Sequence, residues 1–423
     1  MQLIAKKTNI PIPRIHASSL GREKGLYSFV ILDYVEGRTL FDVGFNTLSD
    51  AQRQHLYEQL ASIYLQLRRL EFSSIGVLGQ GADDSVDVRK KVASIAINEQ
   101  ELEGLQPSRI QAEHGNCEGV LTSAGDYAST LLRIARNAFE RGRKSVHSEE
   151  DGNETLYNLD QFSQFTKKWL DHTFDRGPFM LDHGDLNPYN LMVNENIDIV
   201  ALLDWEWACV VPLQFFVPPT WLTSRETDTL AWPVQYAKYV KELDIFRETV
   251  RDTELKVYGE ELLSNEWARV HENGGILVQA ALVNWTDMDY FAGRFLDKLL
   301  YQRKDLQRRI EDFIKEDPAR PIMVARKIRD WKKYRAERKH LGINDPADNE
   351  IEEENMEIAL ATTCAWDSVV TNPYLWWSRG KERFSPKIRQ ILPNMVIGSS
   401  AVLFLAGACC IIWKCIIRHP FSR

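Results

Sequence analysis

Residues 179–207 read FMLDHGDLNPYNLMVNENIDIVALLDWEW. A short apolar run delivers HGDLNPYN, the chain turns through polar residues, and IVALL carries a second aspartate back toward the first. The pattern predicts a strand, a loop and a return strand over 199–203, because apolar runs of four to five residues bounded by Asn and Asp turn signals favour strands. Moving a phosphoryl group needs a carboxylate beside the acceptor hydroxyl and oxygen ligands for a hard cation on the phosphates. Asp185, Asn190 and Asp204 supply that set. Asp185 is suited to orient and deprotonate a hydroxyl, while Asn190 offers an amide oxygen and Asp204 a carboxylate to Mg²⁺. His183 is assigned to fixing the loop by hydrogen bonding, and Gly184 to a tight backbone turn.

The rest of the chain narrows the class. Its 423 residues suffice for more than one core, and 44% hydrophobic with 10% aromatic residues are ordinary values for a folded protein. A net charge of −8 argues against general nucleic-acid binding, which requires an excess of Lys and Arg. Six cysteines form neither a CxxC pairing nor a disulfide framework, which fits a reducing compartment. The opening residues MQLIAKKTNIPIPRI lack the apolar core of a secretion signal. At the other end, 390–413 (QILPNMVIGSSAVLFLAGACCIIW) carries no charged residue. That length is compatible with a membrane-spanning helix or with a buried C-terminal helix. The expected location is cytoplasmic, with the C-terminal segment as a candidate membrane anchor.

Along the chain, a helix ends before IPIP at 10–13, since Pro and the residue before it disfavour helix. A hairpin follows, with Gly21 and Gly25 in the turn and LYSFVILDYVEG (26–37) as its apolar strand. Ser49 and Gln52 form a capping-box signature, and Leu56, Leu60, Ile63, Tyr64 and Leu67 follow at helical spacing. Further helices are predicted over 126–139, 159–174 and 229–258, and mainly helix over 270–301. No internal repeat is present.

At HGDLNPYN followed by LLDWE the sequence resembles the aminoglycoside phosphotransferase and choline kinase group. TNIPIPRIHASS (8–19) and FVILDYVEGRTL (29–40) resemble that group's passage from the small-lobe helix into the interlobe hinge. The resemblance implies an α+β, protein-kinase-like fold. It would comprise a small-lobe remnant and hinge over 1–36 and a large, mainly helical C-lobe over 37–379, with the candidate membrane anchor at 390–413. It further implies Asp185 as catalytic base, Asn190 and Asp204 as magnesium ligands, and an ATP- and Mg-dependent transfer to a hydroxyl of a small molecule. Asp33, Tyr34 and Val35 would lie against the adenine. The group's glycine-rich loop and strand lysine have no counterpart before Thr8, and neither GREKG nor GQGAD matches a P-loop. The expectation is therefore a truncated small lobe with apolar hinge surface left exposed. Three readings stay open: an active phosphotransferase, a catalytically deficient interaction module, and an incomplete version of an active protein.

Two other features are assigned bland roles. Asp287 and Asp289 in NWTDMDYF are expected on a solvated helix face, the alternative being capture of a cationic substrate. The basic run 326–339, with Val324, Ile328 and Trp331 at helical spacing, is expected to be a surface helix balanced by Glu352, Glu353, Glu354 and Glu357.

Overall fold

In a computed structural model the described residues are 1–20, 27–81, 85–113, 119–223, 230, 233–272, 274–283, 288–289, 291–301 and 304–343. The chain divides into two units, Met1–His340 and Leu341–Arg423. Segment 390–413 and Glu352, Glu353, Glu354 and Glu357 lie outside the described residues. Among the described residues no helix is long and apolar enough to cross a membrane.

Helix α1 (Gln2–Lys7) stops at Thr8, whose hydroxyl donates to the Ile4 carbonyl at 2.7 Å. The prolines beyond prevent continuation, and the extended IPIP segment instead joins the interior: the Pro11 carbonyl accepts from the Leu202 amide at 2.8 Å. Strands β1 (Ile15–Leu20) and β2 (Ser28–Leu32) pair antiparallel as expected, with Ile15 opposite Leu32; β2 is shorter than the 26–37 expected, and the expected turn residues Gly21 and Gly25 lie outside the described residues. After β3 (Arg38–Thr39) and α2 (Leu40–Val43), helix α3 (Asp50–Arg68) opens with the predicted reciprocal cap between Ser49 and Gln52. Its five predicted apolar contacts are all buried.

Short strands β4 (Glu71–Phe72), β5 (Val77–Gln80) and β6 (Val86–Lys90) lead to α4 (Ile95–Leu102), α5 (Pro107–Ala112) and α6 (Ala124–Arg141). The helix expected over 159–174 is α7 (Glu149–Trp169), which starts ten residues earlier. Ser148 caps it by accepting from the Asp151 amide, and Glu149, Glu150 and Asp151 in its first turn suit the positive end of the helix dipole. The polar start concealed the helix from an apolar-periodicity reading. It ends short because Leu170 turns extended and Asp171 organises a separate 3-10 turn at His172–Phe174 by accepting from the Thr173 amide.

Strands β7 (Phe179–Asp182), β8 (Leu191–Val193), β9 (Ile199–Leu202) and β10 (Cys209–Pro212) belong to two small sheets, ordered β10-β7-β4 and β3-β8-β9. The C-terminal part is helical: α8 (Pro233–Tyr258), α9 (Leu262–Glu272), α10 (Gly275–Val283), a π-helical turn (Ala292–Leu296), α11 (Asp297–Tyr301), α12 (Leu306–Glu316) and α13 (Ala319–His340). The architecture is α+β with a predominantly helical C-terminal half.

Two expectations are corrected. Asp289 is not on a solvated face: it is half-buried against α7, accepting from Asn158 Nδ2 at 2.8 Å and Thr155 Oγ1 at 3.1 Å. Burial pushes its carboxyl up to about 6, against the opposing effect of those hydrogen bonds. Asp287 lies outside the described residues. Helix α13 is not wholly a surface helix either, because it buries Val324 and Lys327, and the Lys327 ammonium donates to the Gly142 carbonyl that ends α6. A lysine can do this because its long stem packs as hydrocarbon while its head satisfies a helix-terminal acceptor.

Candidate active site

The site grows from β7. Phe179, Met180 and Leu181 are buried, and β7 is hydrogen-bonded on both edges, to β10 and β4. The strand therefore delivers the following loop from a fixed base. Asp182 at its end lies opposite Cys209, and burial raises its carboxyl to about 6 despite hydrogen bonds from the Gly184 and His183 amides. His183 is fully buried, with Nε2 2.9 Å from the Leu203 carbonyl. A carbonyl only accepts, so Nε2 carries the proton. Burial drops the His183 pKa to about 4, keeping the ring neutral. His183 thus ties the loop to the end of β9, the role assigned from sequence.

Gly184 is required at its position. It sits at φ +78°, and a Cβ there would lie 2.2 Å from the Trp207 carbonyl oxygen. Close approach of the two backbone segments brings HGDLNPYN and DWEW together. Within the loop, Asp185 Oδ1 accepts from Asn187 Nδ2 at 2.7 Å and Oδ2 from Asn190 Nδ2 at 2.8 Å. Asn190 is buried, and its amide nitrogen also donates to the Asp185 carbonyl. An amide's oxygen lies opposite its nitrogen, so Asn190 Oδ1 points away from Asp185 and is left to accept or to ligate. The Leu203 amide donates to the Asn190 carbonyl at 2.9 Å, fixing the spacing between Asn190 and the residue before Asp204.

Asp204 is exposed and adopts φ +60°, ψ +63°. An L-residue other than glycine is strained there, a cost found most often at functional positions. The Asp185 carboxyl is raised to about 6: burial is the largest cause, its two asparagine hydrogen bonds oppose, and the charges of Asp204 and Glu206 add to the rise. The three carboxylates therefore feel one another. Glu206 is raised as well, by burial and by Asp204.

The return strand is set by the turn between β8 and β9. Asn194 Oδ1 accepts from the Asn196 and Asp198 amides, and its Nδ2 donates to Asp198. Ile197, at φ +67°, is held there by Gln59 of α3, which donates to its carbonyl and accepts from the Ile199 amide. Two further residues grip the loop: Trp221 Nε1 donates to the Leu186 carbonyl at 2.6 Å, and the Phe41 amide donates to that of Pro188 at 3.1 Å. Neither carries a local sequence signal, since both act across long stretches of chain.

The structure thus brings Asp185, Asn190 and Asp204 into one locality. The other sequence-derived positions, Asp33, Tyr34 and Val35, form the link between β2 and β3. The Asp33 carboxylate is bound to His16 and to the Arg14 amide of β1 and its approach, and Tyr34 is largely exposed. No metal-binding group of three or more His, Cys, Asp or Glu side chains occurs among the described residues. The Asn190 amide oxygen and Asp204 carboxylate nonetheless fit Mg²⁺, a hard cation that keeps several waters and takes one or two protein oxygens when phosphates complete its shell. A cavity of about 430 Å³ is lined by Glu206 and Trp207 and by residues of β5, β6, α4 and α5. The sequence reading missed this wall because it lies about a hundred residues before the motif.

The loop-borne Asp185 and Asn190 and the aspartate that follows β9 are thus the residues the sequence reading had grouped. The family model of the phosphotransferase enzyme family matches residues 1–215, more than half of the 423, and the chain belongs to that family. No curated protein matches it.

Proposed function

We propose that the protein is an ATP- and Mg-dependent phosphotransferase with a protein-kinase-like fold, acting on a hydroxyl of a small molecule. The observation that carries this is the Asp185 carboxylate, clamped by Asn187 and Asn190 and flanked by the acidic Asp204 and Glu206. In the reaction Asp185 accepts the hydroxyl proton as the acceptor oxygen bonds to the γ-phosphorus and the bond from that phosphorus to the bridging oxygen breaks, leaving ADP. At about 6 its pKa is low enough to be ionised at neutral pH and high enough to hold a proton in transit. Asn187 and Asn190 occupy one lone pair on each carboxylate oxygen and so orient the pair that remains. Asn190 Oδ1 and Asp204 would hold Mg²⁺, which when bound would supply positive charge against the phosphates. His183 and Trp221 keep the loop in register. The link at Asp33, Tyr34 and Val35 would lie against the adenine.

Titration calorimetry of Mg·ATP into the full-length protein tests the proposal, with phosphate transfer to a panel of alcohols as its second arm. Metal-dependent binding of ATP and turnover lost in Asp185→Asn are expected; absence of both would leave the family fold as an interaction module. The half-exposed Val30 and Ile31 on β2 favour that second reading if the nucleotide fails to bind. Charge-free 390–413 supports a further proposal, membrane attachment of the body; carbonate-resistant sedimentation of the full chain is its expected signature.

A further inference from the structure

The cavity beside the loop carries information about the acceptor. Trp207 lines it, and the same residue's carbonyl is what Gly184 closely approaches, one position before Asp185. Trp207 thus stands between the cavity and the loop that carries Asp185. Its walls are largely hydrocarbon: Val77 at the start of β5, Val92 and Ala93 after β6, Ile97 of α4 and the Trp207 side chain.

Four charged residues line it, Lys90, Lys91, Glu101 and Glu206, and their formal charges cancel. Two of them are already engaged with each other through Ser108. The Lys91 ammonium donates to Ser108 Oγ, that hydroxyl donates to Glu101 Oε1, and the Ser108 amide donates to the same oxygen at 2.8 Å. A polyamine would need several carboxylates free to receive ammonium groups, because each buried charge left unpaired is costly. A polyol would need a wall rich in unengaged donors and acceptors. The cavity has no such set of free carboxylates, Gln111 Oε1 is its buried lining acceptor without a partner, and its aromatic and branched aliphatic surface gains from displacing water with carbon.

We propose that this cavity receives the body of the phosphoryl acceptor, and that the acceptor is an uncharged alcohol with an aromatic or alicyclic hydrocarbon body. The inference rests on the phosphotransferase reading. The body fills the space between Ile97 and Trp207, and the hydroxyl reaches past Glu206 toward Asp185. There the hydroxyl proton passes to the carboxylate while the oxygen takes the γ-phosphoryl group of ATP and ADP leaves.

Ligand-observed NMR on the full chain tests the proposal with 2-phenylethanol and cyclohexylmethanol as probes and with spermidine and glucose as comparators. Both alcohols are expected to bind to wild type and to Asp185→Asn. Filling the space with Ala93→Trp is expected to weaken both at least tenfold. Asn98→Trp, at an exposed lining position of α4, should do the same and guards against Ala93→Trp failing to fold. Spermidine and glucose should not displace the alcohols. Alcohols that bind here but are never phosphorylated would sink the phosphotransferase reading and leave the ligand class intact. Alcohols that fail to bind, bind undiminished in a folded filled variant, or are displaced by spermidine would overturn the ligand class, even in a protein that phosphorylates some other acceptor.

Discussion

Two hairpins in this protein have similar apolar sequences and opposite surroundings. In the one formed by β8 and β9, Leu191, Val193, Ala201 and Leu202 are all buried, β3 pairs with its outer edge and Gln59 of α3 braces its turn. In the one formed by β1 and β2, Val30 is 52% and Ile31 51% exposed, and the hairpin forms a two-stranded sheet of its own. Burial on both faces fixes register and side-chain direction, since a slip by one residue would turn every core side chain outward. The difference teaches that apolar composition alone does not distinguish a strand that holds a site from one that borders it.

The largest expected effect comes from breaking the loop that leads into the covered hairpin at its tightest point. Gly184→Ala places a Cβ against the Trp207 carbonyl at a positive φ. Left-handed strain and overpacking together should cost roughly 2–5 kcal/mol. Gly104→Ala is the control: its φ is +76° but nothing lies within 4 Å of the added atom, so only the strain of about 1–2 kcal/mol is expected. Urea denaturation of both variants measures the gap; equal losses would show that the approach of the two segments contributes nothing. Next in size is the separation of roles. Asp185→Asn should lower kcat by about 10²–10⁴ while Mg·ATP affinity holds, whereas Asp204→Ala should weaken metal-dependent nucleotide binding itself. Equal loss of nucleotide binding in both folded variants would contradict the assignment.

The stretch around the covered hairpin was also the more legible in the sequence. The strands at both ends of 179–204 and the loop after the first could be read because each had a local cause, an apolar run, an Asn–Asp turn, a glycine; the pairing could not, since β9 returns along β8, inside the stretch read as loop, while β7 pairs with β10 and β4. The Ser49–Gln52 cap was equally local, and so it was legible. What escaped depended on distant partners. Trp221 reaches Leu186, Gln59 braces Ile197, and the cavity wall comes from 77–111. Asp289 looked solvated because its partners, Thr155 and Asn158, lie more than a hundred residues away. Helix α7 lost its first turns to a start rich in acids that only its cap explains.

Smaller effects follow from the buried carboxyls. Asp185 is raised to about 6, so kcat/KM should fall as pH drops through about 6 and its base is protonated. Glu206→Gln removes one of the charges raising Asp185 and should move that acid limb to lower pH; an unmoved limb would assign it to another group. Stability has the opposite sign. A carboxyl whose folded pKa exceeds its unfolded value of about 4 stabilises fully below that pH, and the contribution is lost as pH rises through about 6. Asp289→Asn keeps both hydrogen-bond partners and removes the charge, so it should stabilise by about 1 kcal/mol at pH 7 and by nothing near pH 4. Thermal melts at the two pH values decide.

The smallest expected effect lies in the exposed hairpin and sharpens the comparison from its other side. Val30→Thr and Ile31→Thr keep β-branching, and with it the strand preference, while exchanging exposed hydrocarbon for a hydroxyl. Side chains that are already half in water lose little burial, so each should change stability by no more than about 0.5 kcal/mol. The same exchange at Val193, buried in the covered hairpin, strips a methyl from the core and introduces a hydroxyl there, and should cost about 1–3 kcal/mol. If urea denaturation puts all three within error of one another, the contrast in burial between the hairpins is not what secures the site. If Val30→Thr or Ile31→Thr proves as costly as Val193→Thr, the β2 face is covered in the folded protein, and whatever covers it shields the approach to Asp33, Tyr34 and Val35 too.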